Sequence, residues 1–314
     1  MLQVIFESAV QVLGILFISP LIAGIYENIK AKTEFRKGPS IFQPYYELAK
    51  YFRKESIVSR DSGFIHRNTP MMVLTIMVLL AFLIPVQPGY TVFAPLADFL
   101  GGAMLFTLAS VLTILGALDN NSNFTAMSAG RSAIFSALAE PTLIVVFFAV
   151  AIETGTNNPY ITNADLTANS YLFLSLTHIL ASIAFLLFFI FETGKLPVES
   201  NGLSELSMIE EGRIYEYGGK NLFFIRYSSM IKQYLLGSLL LNVFIFPWGL
   251  QAGLPGSIMD IPIMLLKWLV LIVLLVVLEQ SIARIRIFKI ADFLSLSFIL
   301  SVLSVTLFVA GGFS

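Results

Sequence analysis

Eight long apolar segments run along the chain, and polar connections separate them. A helix needs about 20 mostly apolar residues to cross the hydrocarbon core of a bilayer. The pattern therefore predicts eight membrane spans, over residues 3–25, 70–87, 98–118, 132–153, 170–191, 228–249, 261–282 and 289–312. We expect an all-α polytopic membrane protein that forms a single transmembrane domain over residues 1–314.

The segment 40–55 has a different pattern. Ile41, Tyr45, Leu48 and Phe52 recur at helical spacing, and most charged residues of the segment fall on the other side. This pattern predicts an amphipathic helix that lies in the membrane surface. The alternative is that such a helix does no more than cap the bundle.

The positive charges of the connections are distributed unequally. Of the 19 Lys and Arg residues, nine lie in the connection 26–69, and the connections 88–97, 154–169 and 250–260 contain none. Cytoplasmic loops of membrane proteins carry the excess of Lys and Arg. We therefore expect a multi-pass protein of the cell membrane with cytoplasmic loops at 26–69 and 192–227 and with both termini outside.

The composition agrees with a membrane protein and excludes several kinds of site. The chain is 57% hydrophobic and 12% charged, whereas a typical soluble domain is about 25% charged. It has no cysteine, so it cannot hold an iron–sulfur cluster through its own thiolates. Its two histidines make a zinc or haem site improbable, and its net charge of -1 gives no indication of nucleic-acid binding.

Acidic residues inside predicted spans are the first candidates for chemistry. An ionisable residue at the centre of a membrane helix costs roughly 2.5–3.5 kcal/mol or more, and such residues usually have a function. Glu140 lies well inside the fourth span, Glu192 at the end of the fifth and Glu279 in the seventh. The alternative for Glu140 is a structural pairing with a nearby cation.

The loop after the fifth span is rich in carboxylates. Its acids are Glu192, Glu199, Glu205, Glu210, Glu211 and Glu216. Crowded carboxylates raise one another's pKa, so such a cluster can exchange protons near neutral pH, and Asp119 could join it. The alternative is a charged loop that is simply solvated.

Other polar residues of the predicted spans have simpler interpretations. Glu7, Glu153 and Asp165 are expected to be hydrated near the outer surface. Lys267 is expected to extend its ammonium group to that surface. His178 is expected to be a packed histidine.

Two stretches in the middle of the chain resemble a known family of membrane subunits. Residues 118–141 read LDNNSNFTAMSAGRSAIFSALAEP, and residues 192–199 read ETGKLPVE, followed at 204–219 by SELSMIEEGRIYEYGG. The first stretch resembles the pattern L-D-x-x-S-x-F-T-A…R…E-P of formate hydrogenlyase and membrane-bound hydrogenase membrane subunits. The second stretch is similar to E-T-x-R/K-x-P-V-D…E-L-x-M…E…E-Y-x-G of the same family.

Two further motifs lie in register at the ends of the chain. Glu27 and the residues RKGP at 36–39 with Gln43 resemble a motif that the quinone-site membrane subunit of respiratory complex I shares. The residues EQSIARIR at 279–286 are similar to E-x-x-x-A-R-x-R. Together the four motifs identify the chain as similar to the membrane subunit of group 4 membrane-bound [NiFe] hydrogenases.

The resemblance implies a subunit without redox centres of its own. Its partners would be a small subunit with [4Fe–4S] clusters, a large subunit with a [NiFe] site and antiporter-like membrane subunits. The resemblance implies an ion or proton path through Asp119, Glu140, Glu192, Glu199, Glu205, Glu210, Glu211, Glu216 and Glu279. It implies docking or structural roles for Glu27, Arg36, Gly38, Pro39, Gln43, Arg131, Lys195, Pro197, Arg284 and Arg286.

The sequence leaves three functions open. The leading hypothesis is a membrane anchor that couples a hydrogenase-type module to H⁺ or Na⁺ translocation. A second is the same role in a sulfane sulfur reductase or in a quinone-reducing relative of complex I. A third is a stand-alone secondary transporter, although the chain shows no internal repeat of the kind common in transporters.

Overall fold

The computed structural model describes residues 2–59, 62–86, 91–195, 209–250, 254–282 and 287–311. The described part of the chain is helical. Its helices are α1 (Leu2–Thr33), α2 (Gln43–Arg53), α3 (Phe64–Leu83), α4 (Phe99–Leu118), α5 (Asn123–Thr154), α6 (Pro159–Ala168), α7 (Ser170–Phe173), α8 (Leu176–Glu192), α9 (Gly219–Leu239), α10 (Leu254–Ser281) and α11 (Ile290–Gly311).

Each of the eight predicted spans has a helix. In the described residues, seven helices are long and apolar enough to cross a membrane, namely α1, α3, α4, α5, α9, α10 and α11. The eighth, α8, has only 17 residues, or about 25 Å at 1.5 Å per residue. It is short because Ser175 caps its first turn by accepting a hydrogen bond from the His178 N–H at 3.0 Å.

Four helices begin well before their predicted spans. α3 starts at Phe64 instead of residue 70, α5 at Asn123 instead of 132, α9 at Gly219 instead of 228 and α10 at Leu254 instead of 261. Each helix includes turns outside its apolar segment, so the apolar pattern predicts the membrane-crossing part and not the whole helix.

The amphipathic helix predicted at 40–55 is confirmed as α2, whose second residue, Pro44, lies in the first turn. A proline there loses no helical hydrogen bond, because the first N–H groups of a helix have no partner within it. α2 packs against α9, where the rings of Phe52 and Phe223 lie 5.2 Å apart, and against α1.

The core of the bundle forms around α9, the most deeply buried of the long helices. α9 continues as a π-helical turn over Leu240–Ile245. Gly237 permits α10 to approach closely, because a Cβ there would overlap the ring of Trp268. Helices in membranes pack closely where small residues allow it.

Candidate functional site

A charged cavity of about 440 Å³ lies at the end of the bundle where α1 ends and α9 begins. We call it the charged cavity. α1, α2, α9, α10 and the segments that follow α8 and precede the 3₁₀ turn Glu211–Ile214 contribute to its wall. Its charged lining residues are Glu27, Lys30, Glu47, Lys195, Glu210, Glu211, Arg226 and Glu279. Residues of three of the four motifs, those at 27–43, 192–219 and 279–286, therefore meet at one site.

Lys30 and Glu279 form an ion pair across the cavity wall. The Nζ atom of Lys30 lies 3.2 Å from Oε2 of Glu279, and the carboxylate is only 3% exposed. The pair joins the last turns of α1 and α10. Because both residues lie at the end of the bundle that holds the charged cavity, Glu279 has its charged partner close by.

Lys195 lies buried over an aromatic ring. Gly194 adopts a φ of 59°, and this left-handed residue ends α8 and turns the chain back. The ammonium of Lys195 then lies 3.2 Å from the centre of the Tyr26 ring. Burial lowers the pKa of Lys195 to about 8, and the charge of Lys30 acts in the same direction, whereas the charges of Glu279 and Glu27 oppose the shift.

Two acids of the loop, Glu210 and Glu211, are paired with arginines. Glu211 accepts two hydrogen bonds from Arg226, at 2.6 and 2.7 Å. Glu210 accepts one from Arg213 at 2.7 Å, and Arg213 also donates to Thr113 of α4 at 3.2 Å. Arg213 and Arg226 belong to the predicted cytoplasmic connection 192–227 and to none of the predicted site residues. Their position close to the acids in sequence was the signal that could have shown the pairing.

A second cavity of about 80 Å³ continues the charged cavity towards the middle of the bundle. Glu210, Glu211, Arg226 and Ser229 line both cavities. The second one also reaches Ser110 of α4 and Lys232 of α9.

Beyond the second cavity lies the carboxylate of Glu192. Lys232 forms a short ion pair with Glu192, and Ser110 donates to the same carboxylate oxygen at 3.1 Å. Lys232 also donates to Ser110 at 3.2 Å. The three side chains bring together α4, α8 and α9.

Glu140 of α5 lies next in this series of charged groups. It is half-buried and close enough to Glu192 and Lys232 to interact with both electrostatically. The described groups therefore form a series of charged side chains from the cavity through Glu211, Lys232 and Glu192 to Glu140, which we call the charged row.

Asp119, Glu216 and Arg131 lie apart from the charged row. The Asp119 carboxylate accepts a hydrogen bond from the His66 N–H at 2.9 Å, so it lies at the positive end of the α3 dipole. Glu216 is exposed. Arg131 donates to the sulfur of Met127 at 3.2 Å. Their roles in an ion path or in docking stay predictions.

The predicted docking residues before α2 lie at the same end of the bundle. Arg36 is exposed and lies 3.8 Å from Glu34. Asn28 of α1 donates to the Pro39 carbonyl at 2.7 Å. At Gly38, a Cβ would lie 2.9 Å from that of Ala31, so glycine permits the segment to lie on α1.

Gln43 and Glu27 extend this region to the mouth of the charged cavity. Gln43 donates to Glu47 at 3.2 Å, and both side chains line the cavity. Glu27 lines it from α1. The predicted path and docking residues Glu199, Glu205, Pro197, Arg284 and Arg286 lie outside the described residues.

Three expectations for the opposite end of the bundle are wrong. Glu7 and Glu153 are 7% and 9% exposed, so they are not hydrated surface groups. Glu153 instead pairs with His178, whose Nδ1 lies 3.2 Å from its carboxylate. Lys267 is 6% exposed, and its ammonium is buried against the Phe246 carbonyl, at 2.7 Å, instead of reaching the surface.

The sequence has relatives over nearly its whole length. A family model described as NADH dehydrogenase matches residues 7–310. The chain belongs to the NADH dehydrogenase family. Formate hydrogenlyase subunit 4 of Escherichia coli (strain K12) is 29% identical over 283 residues, covering 88% of this chain and 90% of that protein. Hydrogenase-4 component C of the same organism is 29% identical over 320 residues, covering 98% and 96%.

A solved structure has the same fold as this NADH dehydrogenase family chain. It belongs to the membrane-bound sulfane sulfur reductase, an archaeal respiratory membrane complex, and it superposes with a TM-score of 0.83 at 19% identity. The match covers 97% of this chain and 99% of that one. The resemblance to complex I-like membrane subunits of hydrogenases, inferred from the motifs, is therefore confirmed.

Proposed function

We propose that the chain is the membrane anchor and ion-coupling subunit of a respiratory hydrogenase-type complex. In this proposal the chain carries no redox centre, docks an iron–sulfur and [NiFe] module, and links its chemistry to movement of H⁺ or Na⁺. The observation that carries the proposal is the charged row, which extends from the charged cavity to Glu140 on α5. The names of the two bacterial relatives favour a hydrogenase.

The geometry supports coupling by charge. A redox change in a module docked over the cavity alters the field at Glu211 and Arg226, which lie on the cavity wall. Their ion pair lies on the wall of both cavities, and the second cavity leads on to Lys232. A change in charge at one end of such a row biases the protonation of the next group. Glu140 then presents the altered charge at the side of α5.

Glu140 also indicates where partner membrane subunits lie. A half-exposed carboxyl group deep in a span is costly against lipid, and protein that carries polar groups lowers that cost. We therefore place the antiporter-like subunits against the exposed face of α5. The basic connections favour a cytoplasmic position for the charged cavity.

Two alternatives differ in what accompanies the chain. The fold similarity to the sulfane sulfur reductase complex is consistent with a sulfur-reducing partner, and the family match is consistent with a quinone-reducing relative of complex I. A stand-alone transporter would purify by itself. Mild-detergent purification from native membranes is the test, and we expect iron–sulfur and [NiFe] subunits with this chain. Recovery of the chain alone would contradict the proposal.

A charge reversal tests the docking surface. Arg36 is exposed next to α2, and rim charges of this kind guide and hold polar partners. Arg36→Glu should release the soluble module from the purified complex. The matched control is Lys289→Glu, which reverses an exposed charge on a different segment. Unchanged subunit content in the Arg36 variant would exclude this residue from the docking surface.

A further inference from the structure

A buried lysine lies at the end of the bundle opposite the charged cavity. Lys267 of α10 donates to the Phe246 carbonyl at 2.7 Å and to the Asn242 side-chain oxygen at 3.2 Å. Asp260, two turns earlier on α10, has no exposed surface and lies close enough to interact with Lys267 electrostatically. We call Lys267, Asn242 and Asp260 the far polar site.

The π-helical turn of α9 makes room for this site. α9 changes from α to π geometry over Leu240–Ile245, directly before the carbonyl to which Lys267 donates. π-helical turns within long helices are frequently found at functional sites. A neutral donor would satisfy the Phe246 carbonyl without burying a charge, and ionisable residues within membrane helices usually have a function. We therefore expect this lysine to have a role beyond satisfying the Phe246 carbonyl.

A row of buried polar side chains leads from the middle of α9 to the far polar site. Tyr234, Ser238 and Asn242 are spaced four residues apart, and each is at most 2% exposed. Trp268 of α10 donates to the Ser238 hydroxyl at 3.2 Å. Tyr234 stacks on the same indole, with the ring centres 5.4 Å apart. The row follows the α9–α10 contact.

A small cavity lies beside this row. It has a volume of about 10 Å³, and Gln11, Tyr234 and Met264 are among its lining residues. Among the described residues, the side-chain oxygen of Gln11 is buried without a hydrogen-bond partner. A single buried water needs about 10–15 Å³ of such volume and two or more polar partners. One water here would link the α1 and α9 sides of the row.

We propose that Lys267 is a proton-exchanging group that serves the far side of the membrane. Its ammonium releases one N–H proton to water at that side, and the neutral amine takes up a proton from water on the inner side of the site, where the Ser238 and Tyr234 hydroxyls lie. Among the described residues, the charged groups at this end of the elements packed on α10 are Asp260 of α10 itself and Glu7 of α1. The inference rests on the proposed ion-coupling function. It gives this subunit its own exit for protons at the far side of the membrane.

Arginine and glutamine variants separate proton exchange from capping. Arginine keeps the charge and donates hydrogen bonds, but it does not release its proton in proteins. Lys267→Gln keeps a donor and loses the charge. The assay uses the whole complex in inverted membrane vesicles, with turnover driven by a reduced low-potential dye and the ion gradient recorded in parallel. Lys289→Arg is the matched control, because Lys289 is exposed.

We expect both Lys267 variants to assemble and to turn over, with the gradient per turnover reduced at least five-fold, while the control behaves as wild type. A Lys267→Arg complex that builds a normal gradient overturns the inference. Loss of assembly in both variants also overturns it, because Lys267 is then a structural cap. A wild-type complex that turns over without any gradient refutes the proposed function itself, which distinguishes the two failures.

Discussion

Lys232 of α9 and Glu192 of α8 form an ion pair in the middle of the charged row, and their side chains are only 14% and 10% exposed. Removing one partner of a buried pair leaves the other charge unpaired, which costs about 3–5 kcal/mol. We therefore expect Glu192→Gln to lower the free energy of unfolding by about 3 kcal/mol. Thermal inactivation of the purified complex measures the loss.

The double variant Glu192→Gln/Lys232→Met serves as the control for that experiment. It removes both charges, so it should recover part of the lost stability. Additive losses in the two single variants and the double variant would show that the pair contributes no coupling energy.

The approach of the segment before α2 to α1 depends on Gly24. A Cβ at this position would overlap the Ile41 carbonyl oxygen and lie 3.1 Å from the ring of Pro44. Gly24→Ala should therefore displace the segment that forms the cavity mouth and destabilise the chain by about 1–3 kcal/mol. Retention of partner subunits and thermal inactivation should both fall. Gly14→Ala on the same helix is the control, because in the described part of the chain no atom beyond the adjoining residues and helix backbone lies within 4 Å of a Cβ there.

The lowered pKa of Lys195 predicts a pH dependence of stability. Burial lowers this pKa from 10.5 to about 8 in the folded chain, so the unfolded chain binds more protons between these values. Stability due to this group therefore rises with pH over that window and is lowest below about pH 8. Lys195→Met lacks this titration. The stability of wild type relative to Lys195→Met should rise from pH 7.5 to 9.5, and a constant difference would contradict the pKa shift.

The predicted orientation can be tested with single cysteines, because the chain has none of its own. Ser59 and Thr167 are both exposed, and they lie in connections on opposite sides of the predicted topology. Ser59→Cys should resist an impermeant thiol reagent added to intact cells, and Thr167→Cys should react with it. Labelling of Ser59→Cys from outside would reverse the orientation.

The sequence predicted the helices well because membrane spans depend on hydrophobic length. The ends of α4 and α11 lie within one residue of the ends of the predicted spans. The break between α7 and α8 was missed, because it depends on a hydrogen bond to the Ser175 hydroxyl that no hydrophobic pattern shows. The first turns of α5 and α9 were missed for a related reason, because polar residues can continue a helix beyond its apolar segment.

The candidate site was harder to predict, since it depends on which residues meet. The motifs identified Glu192 and Glu140, but they do not include Lys232. Its pairing with Glu192 depends on how α8 and α9 pack. The burial of the Lys267 ammonium likewise depends on the carbonyl that follows the π-helical turn, which the sequence does not indicate.

Glu140 gives the most direct test of the charged row. It is half-buried on α5 and interacts electrostatically with Glu192 and Lys232. Glu140→Gln keeps the shape and the hydrogen-bonding capacity of the side chain and removes its titration. If Glu140 carries protons, the variant complex should assemble with all its partners and build little or no ion gradient. Glu55→Gln makes the same chemical change at an exposed residue and should have no effect.

The alternative role of Glu140 is a structural one, and the same variant separates the two. A group that only pairs with a cation needs no change in protonation, so its loss weakens assembly first. A relay needs the change, because each transferred charge must reside on the group and then leave it. Subunit content and gradient per turnover, measured on one preparation, therefore decide the question. A complete complex without a gradient identifies a relay, a dissociated complex identifies a structural pair, and a complete complex with a normal gradient shows that Glu140 is not required for coupling.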